Sequence, residues 1–132
     1  TYWAVVKNKP PKEEETLVHF IKRNQQNNTS KAHLKEVPES KKASLSYKII
    51  AELDHYFVLE IELHTGRHHQ IRAQLQTIGC PIKGDLKYGF ERSNPDGEIH
   101  LHARKLHFIH PVSKEKIELI AATPNDIIWN SI

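Results

Sequence analysis

Alternation of apolar and polar positions is clearest in the middle of the chain. Leu45, Tyr47, Ile49, Ala51 and Leu53 alternate with Ser46, Lys48, Ile50 and Glu52. After an Asp54-His55 turn, Phe57, Leu59, Ile61 and Leu63 alternate with Tyr56, Val58, Glu60 and Glu62. Two period-two runs across so short a turn predict an antiparallel hairpin with one buried face. The period then changes. Beyond Thr65-Gly66, the residues Ile71, Leu75 and Ile78 recur at i, i+4 and i+7, the apolar stripe of a short helix. On this reading Arg67, His68 and His69 occupy the first helical turn, and Arg72 lies one turn further on.

The flanking segments carry weaker signals. Tyr2-Trp3-Ala4-Val5-Val6 is aromatic and β-branched, which predicts a strand ended by Asn8-Lys9-Pro10-Pro11. The apolar segment Leu17–Ile21 is ambiguous: the acidic residues before it suit a helix start, but its length and branched residues suit a strand better. From Lys22 to Lys42 the chain is polar and reads as a long loop or an edge strand with an exposed tip. Residues 79–97 form a turn-rich excursion. A strand over 99–109 slips in its alternation near Ala103-Arg104-Lys105, as a bulge would produce. His110-Pro111-Val112-Ser113 reads as a turn and Lys116–Ala121 as a further strand. Thr123 then suits an N-cap, with Pro124 opening a short terminal helix. The predicted fold class is α+β: a mostly antiparallel (mixed) β-sheet with a few flanking short helices. With no repeat or linker, residues 1–132 read as a single domain.

Composition narrows the class without naming a function. A hydrophobic fraction of 38% beside 27% charged residues describes a soluble globular protein. No apolar run is long enough for a membrane helix, so no membrane partner is expected. The lone Cys80 cannot make an internal disulfide, which fits a reducing, cytoplasmic setting. A net charge of +3 favours polyanionic partners only weakly. The chain opens at Thr1 inside strand-like sequence and contains no methionine, so it is expected to be a piece of a longer product.

The basic helix start breaks a local rule, because the amino end of a helix is itself partly positive. Free amides and basic side chains together suit a phosphate or carboxylate. A solvated basic turn is the alternative, and charge density alone leaves the two level. Ten histidines invite a metal, but there is no H-E-x-x-H and no paired C-x-x-C, and zinc wants three or four convergent ligands. Cys80 sits in a Gly-Cys-Pro turn suited to packing, and there is no G-x-S-x-G elbow, P-loop or G-x-G-x-x-G. No metal and no cofactor are therefore expected. Asp54, Asp85, Asp96 and Asp126 all fall in turns or at a helix start, and only Asp85, after Gly84, stands in a suggestive place.

Taken in order, several short motifs resemble one family. Thr65-Gly66-Arg67-His68-His69-Gln70-Ile71-Arg72 is similar to the T-G-R-x-H-Q-I-R element of RluA-family pseudouridine synthases. Gly79-Cys80-Pro81-Ile82-Lys83-Gly84-Asp85 with Tyr88-Gly89 resembles the G-x-P-I-x-G-D…Y-G that follows it. Leu101-His102-Ala103, His110-Pro111, and Tyr2 with Ala4 from a K-x-Y-x-A strand match in the same order. The resemblance implies isomerisation of uridine to pseudouridine in structured rRNA or tRNA, by a monomer that needs no cofactor. An aspartate acts on the ribose of a flipped-out uridine, the glycosidic bond breaks, and the uracil rejoins through C5. The resemblance assigns Arg72 to pairing with that aspartate and Tyr2 to stacking on the base. It places Arg67, His68, His69 and Gln70 near the RNA, and Ile71 and Leu75 in the pocket wall and core. The family's aspartate belongs to an upstream H-R-L-D motif that this chain lacks, so the 132-residue chain alone is expected to be inactive. The alternative is a non-catalytic RNA-binding module of the same fold.

Overall fold

A computed structural model of the chain describes residues 1–109 and 111–132; His110, with its part in the expected turn and motif, lies outside the described residues. Strands β1 (Tyr2–Val6), β2 (Glu14–Asn24), β3 (Thr29–His33), β4 (Lys41–Glu52), β5 (Phe57–Leu63) and β6 (Leu101–Ala103) form one six-stranded sheet in the order β3-β2-β4-β5-β1-β6. Every pairing in it is antiparallel. Strands β7 (Lys105–Ile109) and β8 (Lys116–Ile120) make a separate antiparallel ribbon. Helix α1 (Gln70–Thr77) packs across β2 and β3. Leu86–Tyr88 and Trp129–Ser131 are single 3-10 turns. This is the expected α+β class.

Residue pattern explains most of the layout. On β2, Leu17, His19 and Ile21 are buried while the residues between them face outward, so the ambiguous segment is a half-buried strand and longer than the apolar run. The polar stretch that follows is the β2–β3 hairpin, with β3 at the sheet edge. Beneath α1 lies the main core: Ala4, Val6, Leu17, Leu45, Tyr47, Leu59, Ile61, Ile71, Leu75, Cys80 and Ile82. Helix α1 ends in a Schellman arrangement, with Gly79 N–H donating to Gln76 O (3.0 Å) and Cys80 N–H to Leu75 O (2.9 Å). Gly79 takes the positive φ (82°) that this ending requires.

Three expectations are corrected. The β4–β5 hairpin does not bury one face only: its register shifts between Ile49 and Ala51. Ile49 therefore stays beneath α1, while Ile50, Ala51 and Leu53 join Val5, Val58 and Trp129 in a second core. The terminal helix is reduced to the turn at Trp129–Ser131. Its organiser is Asp126, whose Oδ1 accepts the Trp129 N–H at 2.7 Å, with no capping bond from Thr123. The long strand over 99–109 splits into β6 and β7 at Arg104, where the sequence alternation slips.

Candidate active site

The turn between β5 and α1 is built on Gln70. Its Oε1 accepts hydrogen bonds from Thr65 Oγ1 (2.7 Å) and from the Arg67 N–H (3.0 Å). Its Nε2 donates to Ser44 O (3.0 Å) and Gln74 Oε1 (2.9 Å). Gln74 continues the chain inward, donating to His19 Nδ1 at 2.8 Å. Gln70, Gln74 and His19 are all buried. A buried amide left unpaired would cost about 1–3 kcal/mol, so this line of bonds fixes how α1 leaves the sheet. Gln70, expected to face RNA, instead has its amide spent inside the protein. Burial pushes the His19 pKa down, in keeping with a ring nitrogen that accepts from Gln74.

Ahead of the helix, His69 is its N-cap and sits in the left-handed region (φ 50°), a conformation that costs a non-glycine residue about 1–3 kcal/mol. It is held there by partners on both ring nitrogens: Nδ1 bonds Tyr88 Oη at 2.8 Å and Nε2 lies 3.4 Å from Arg72 Nη1. His68 stacks on it, ring centroids 3.8 Å apart, and reaches back to the β2–β3 hairpin through Ser30 Oγ (2.7 Å) and Asn28 Oδ1 (3.1 Å). Desolvation first, then the Arg72 charge, push the His69 pKa down to about 4. His68 is lowered by burial and by Arg23, Lys87 and Arg72. Both imidazoles are neutral near pH 7, so the positive charge at this turn belongs to Arg67 and Arg72. The turn also precedes the helix instead of forming its first turn.

Arg72 has a partner inside this chain. Its Nε donates to Asp85 Oδ2 (2.8 Å) and its Nη2 to Asp85 Oδ1 (2.7 Å), a fork-on-fork pair. The Asp85 side chain is 1% exposed and that of Arg72 20%. The guanidinium lies 4.6 Å from the Tyr88 ring centroid, and Tyr88 Oη also accepts the Ser30 N–H at 2.8 Å. The hydrogen bonds that Arg72 donates to Asp85 raise its pKa further. Asp85 is thus a carboxylate partner for Arg72 that the sequence did not join to it, distinct from the upstream aspartate the resemblance assigns. Two of its nitrogens are committed to Asp85, and Nη1 has no carboxylate among the described residues.

The turn that carries Asp85 is equally constrained. Gly84 has φ +87°, and a Cβ there would come within 2.3 Å of Asn94 Nδ2. Asn94 cannot yield easily, because its amide bonds Glu98 O, His100 and Lys83. The sequence hinted at Asp85 through its Gly-Asp setting. Nothing in the sequence singles out Ser30 or Asn28, which meet the site only through folding, and the Tyr88-Gly89 motif marks Tyr88 without showing that its hydroxyl reaches His69 and Ser30.

The remaining candidates lie elsewhere around α1. Tyr2, on β1 opposite Ile61 and Ala103, is partly buried against the main core that contains Ile71 and Leu75. Ile71 and Arg72 are successive residues of α1, so the apolar cluster and the Arg72 network occupy adjoining faces of one helix. Arg67 bends back to donate from Nε to Lys42 O (2.9 Å) on β4. Among the described residues no three His, Cys, Asp or Glu side chains converge as a metal site would need.

Comparison with known proteins places this arrangement. The family model described as RNA pseudouridylate synthase matches residues 1–77, from β1 through α1. An RNA pseudouridine synthase of Chlorobaculum parvum is 32% identical over 96% of this chain and 44% of its own length. The ribosomal large subunit pseudouridine synthase C of Rickettsia prowazekii is 30% identical over 93% of this chain and 41% of its own. The chain thus spans less than half the length of these relatives. In structure, human RNA pseudouridylate synthase domain containing 4 shares the fold with a TM-score of 0.75 at 20% identity, over 97% of this chain and 59% of that one. Human RNA pseudouridylate synthase domain containing 1 does so with a TM-score of 0.72 at 24% identity, over 94% and 53%. With the family model covering more than half of its residues, and with the ordered T-G-R-x-H-Q-I-R and G-D…Y-G elements joined in one network, the chain belongs to the RNA pseudouridylate synthase family.

Proposed function

We propose that this chain supplies the arginine-bearing part of a catalytic domain that isomerises uridine to pseudouridine in ribosomal RNA. The observation that carries the reading is the divided guanidinium of Arg72. Asp85 takes Nε and Nη2 and fixes the plane of the group, while Nη1, which meets the neutral His69 Nε2 at 3.4 Å, keeps a second hydrogen for another anion. That anion is the nucleophilic aspartate, which lies upstream of Thr1 in the full-length protein. A guanidinium held beside a carboxylate favours its ionised form, which is the form that attacks the ribose. The chain's own aspartates are otherwise placed: Asp85 is buried on Arg72, Asp126 bonds His100 and Trp129, Asp96 accepts the Glu98 N–H, and Asp54 is in the exposed β4–β5 turn.

Tyr2 stacks on the flipped uracil, backed by the core beneath α1, with Ile71 and Leu75 forming the apolar wall behind it. Arg67, half-buried with its Nε on Lys42 O, takes the RNA backbone with its remaining guanidinium nitrogens, and His68 and His69 hold the turn that presents it. Ribosomal RNA is favoured over transfer RNA because the relatives' names include ribosomal large subunit synthases. The protein acts in the cytoplasm, as a monomer and without a cofactor.

The test is pseudouridine formation on ribosomal RNA transcribed without modification. The full-length protein is expected to be active. Arg72→Ala should lose turnover by orders of magnitude while keeping most RNA affinity, since backbone contacts are spread over many basic groups. The 132-residue chain alone should show no turnover. Activity in Arg72→Ala or in the isolated chain would overturn the assignment.

A further inference from the structure

The face of the sheet turned away from α1 is covered at one end only. Trp129 and Ile128 close it over β1, β5 and the end of β4. At the β3-β2-β4 end, the outward residues join no hydrophobic cluster. Cross-strand register puts Phe20 opposite both His33 and Lys42, Lys22 opposite Lys31, and Val18 opposite Ser44, so these side chains share that face. Val18 is 45% exposed. Lys22, Lys31 and Lys42 are exposed and have no ion-pair partner among the described residues. A Lys–Lys pair directly across two strands is destabilising for the sheet, and no carboxylate among the described residues forms an ion pair with either lysine. The acidic side chains sit mostly elsewhere on this face: Glu14, Glu60 and Glu62 line the neighbouring hollow with Lys48, and Glu39 alone borders the hollow of Lys22, Arg23, Lys31 and His33.

We infer that the open face formed by Lys22, Lys31 and Lys42 is a second RNA-docking surface, separate from the Tyr2–Arg72 side of α1, which holds the phosphate backbone of the substrate where it continues past the modified nucleotide. The inference rests on RNA being the substrate, as proposed above. Charge complementarity selects the occupant. Three unpaired lysines repelling one another across adjacent strands gain what the sheet loses when phosphates lie between them. Phe20 lies opposite Lys42 and two residues from Lys22 on β2, with Val18 next along the same face, so the cations border an apolar strip that suits a single strand or loop lying along the sheet.

The experiment measures binding of the full-length protein to fluorescein-labelled oligouridine over a range of salt concentrations, alongside pseudouridine formation on unmodified ribosomal RNA. The combined variant Lys22→Gln, Lys31→Gln, Lys42→Gln is expected to bind about tenfold more weakly. Its slope of log affinity against log salt should flatten by roughly 2, since each lost single-strand phosphate contact removes about 0.7. Lys114→Gln with Lys116→Gln, on the distant ribbon, should change neither. An unchanged slope in the triple variant, or an equal loss in the ribbon variant, overturns the docking face. If the wild-type protein binds oligouridine through these lysines but forms no pseudouridine, the enzymatic reading fails and the docking face stands.

Discussion

At the scale of single residues, the decisive contact is the one between Arg72 and Asp85. They stand 13 positions apart with the end of α1 and the Gly79 turn between them, so the sequence shows each in its motif but not their meeting. What was legible was chemistry by neighbourhood: a Gly-Asp in a turn and an arginine at the edge of an apolar stripe. What was not legible was which groups folding would bring between them. Tyr88 is the clearest case, since its ring lies against the Arg72 guanidinium while its hydroxyl bonds both His69 and β3. Asp85→Asn preserves shape but removes the charge that Arg72 is buried against. Breaking such a pair costs about 3–5 kcal/mol, and the partial exposure of Arg72 puts this case near the lower figure. Chemical denaturation should show that loss, together with reduced turnover in the full-length protein. An Asn variant with wild-type midpoint and wild-type turnover would show that Asp85 neither anchors nor orients Arg72.

At the scale of elements, alternation was a reliable guide wherever one face of a strand meets the core. The strands β4 and β5 follow from it directly, while β1 follows from its aromatic and β-branched composition and α1 from the change of period at Gly66. It failed where a strand changes faces. The shift between Ile49 and Ala51 transfers Ile50, Ala51 and Leu53 to the opposite side, which a strict period of two cannot express. It also failed at the carboxyl end, where Thr123-Pro124 has the composition of a helix start, yet the ordering group is Asp126. That residue accepts from Trp129 N–H with one oxygen and bonds His100 with the other. The segment's work is done by one side chain: Trp129, 4% exposed, fills the space over Val5 and Val58. Trp129→Ala should therefore cost about 3–5 kcal/mol, as for other large-to-small core changes. Urea unfolding measures this, and a loss under 1 kcal/mol would mean that the second core holds together without its lid.

At the scale of the whole molecule, the four histidines among the described residues that are shifted by their surroundings move in one direction. His19, His68, His69 and His100 lie in different parts of the fold, and burial is the largest cause of a lowered pKa at each. In the unfolded chain all four return to the ordinary value of 6.5. Between that value and their folded ones, the unfolded state binds more protons than the folded state, so stability rises with pH across the interval. It is fully present above about 6.5 and is lost as pH falls, with His69 the last of the stated values at about 4. Protonating His69 would set an imidazolium beside Arg72, and protonating His19 would cost the nitrogen that accepts from Gln74. Both bonds help fix the turn between β5 and α1, so acid should loosen the site as well as the fold. The melting temperature should fall steadily as pH is lowered from about 7 to about 5. His69→Asn removes one titrating group while tolerating the left-handed backbone at that position, so its melting curve should fall less steeply over the same interval. A melting temperature independent of pH there, or equal slopes for the two proteins, would mean that these histidines are not held neutral by the fold.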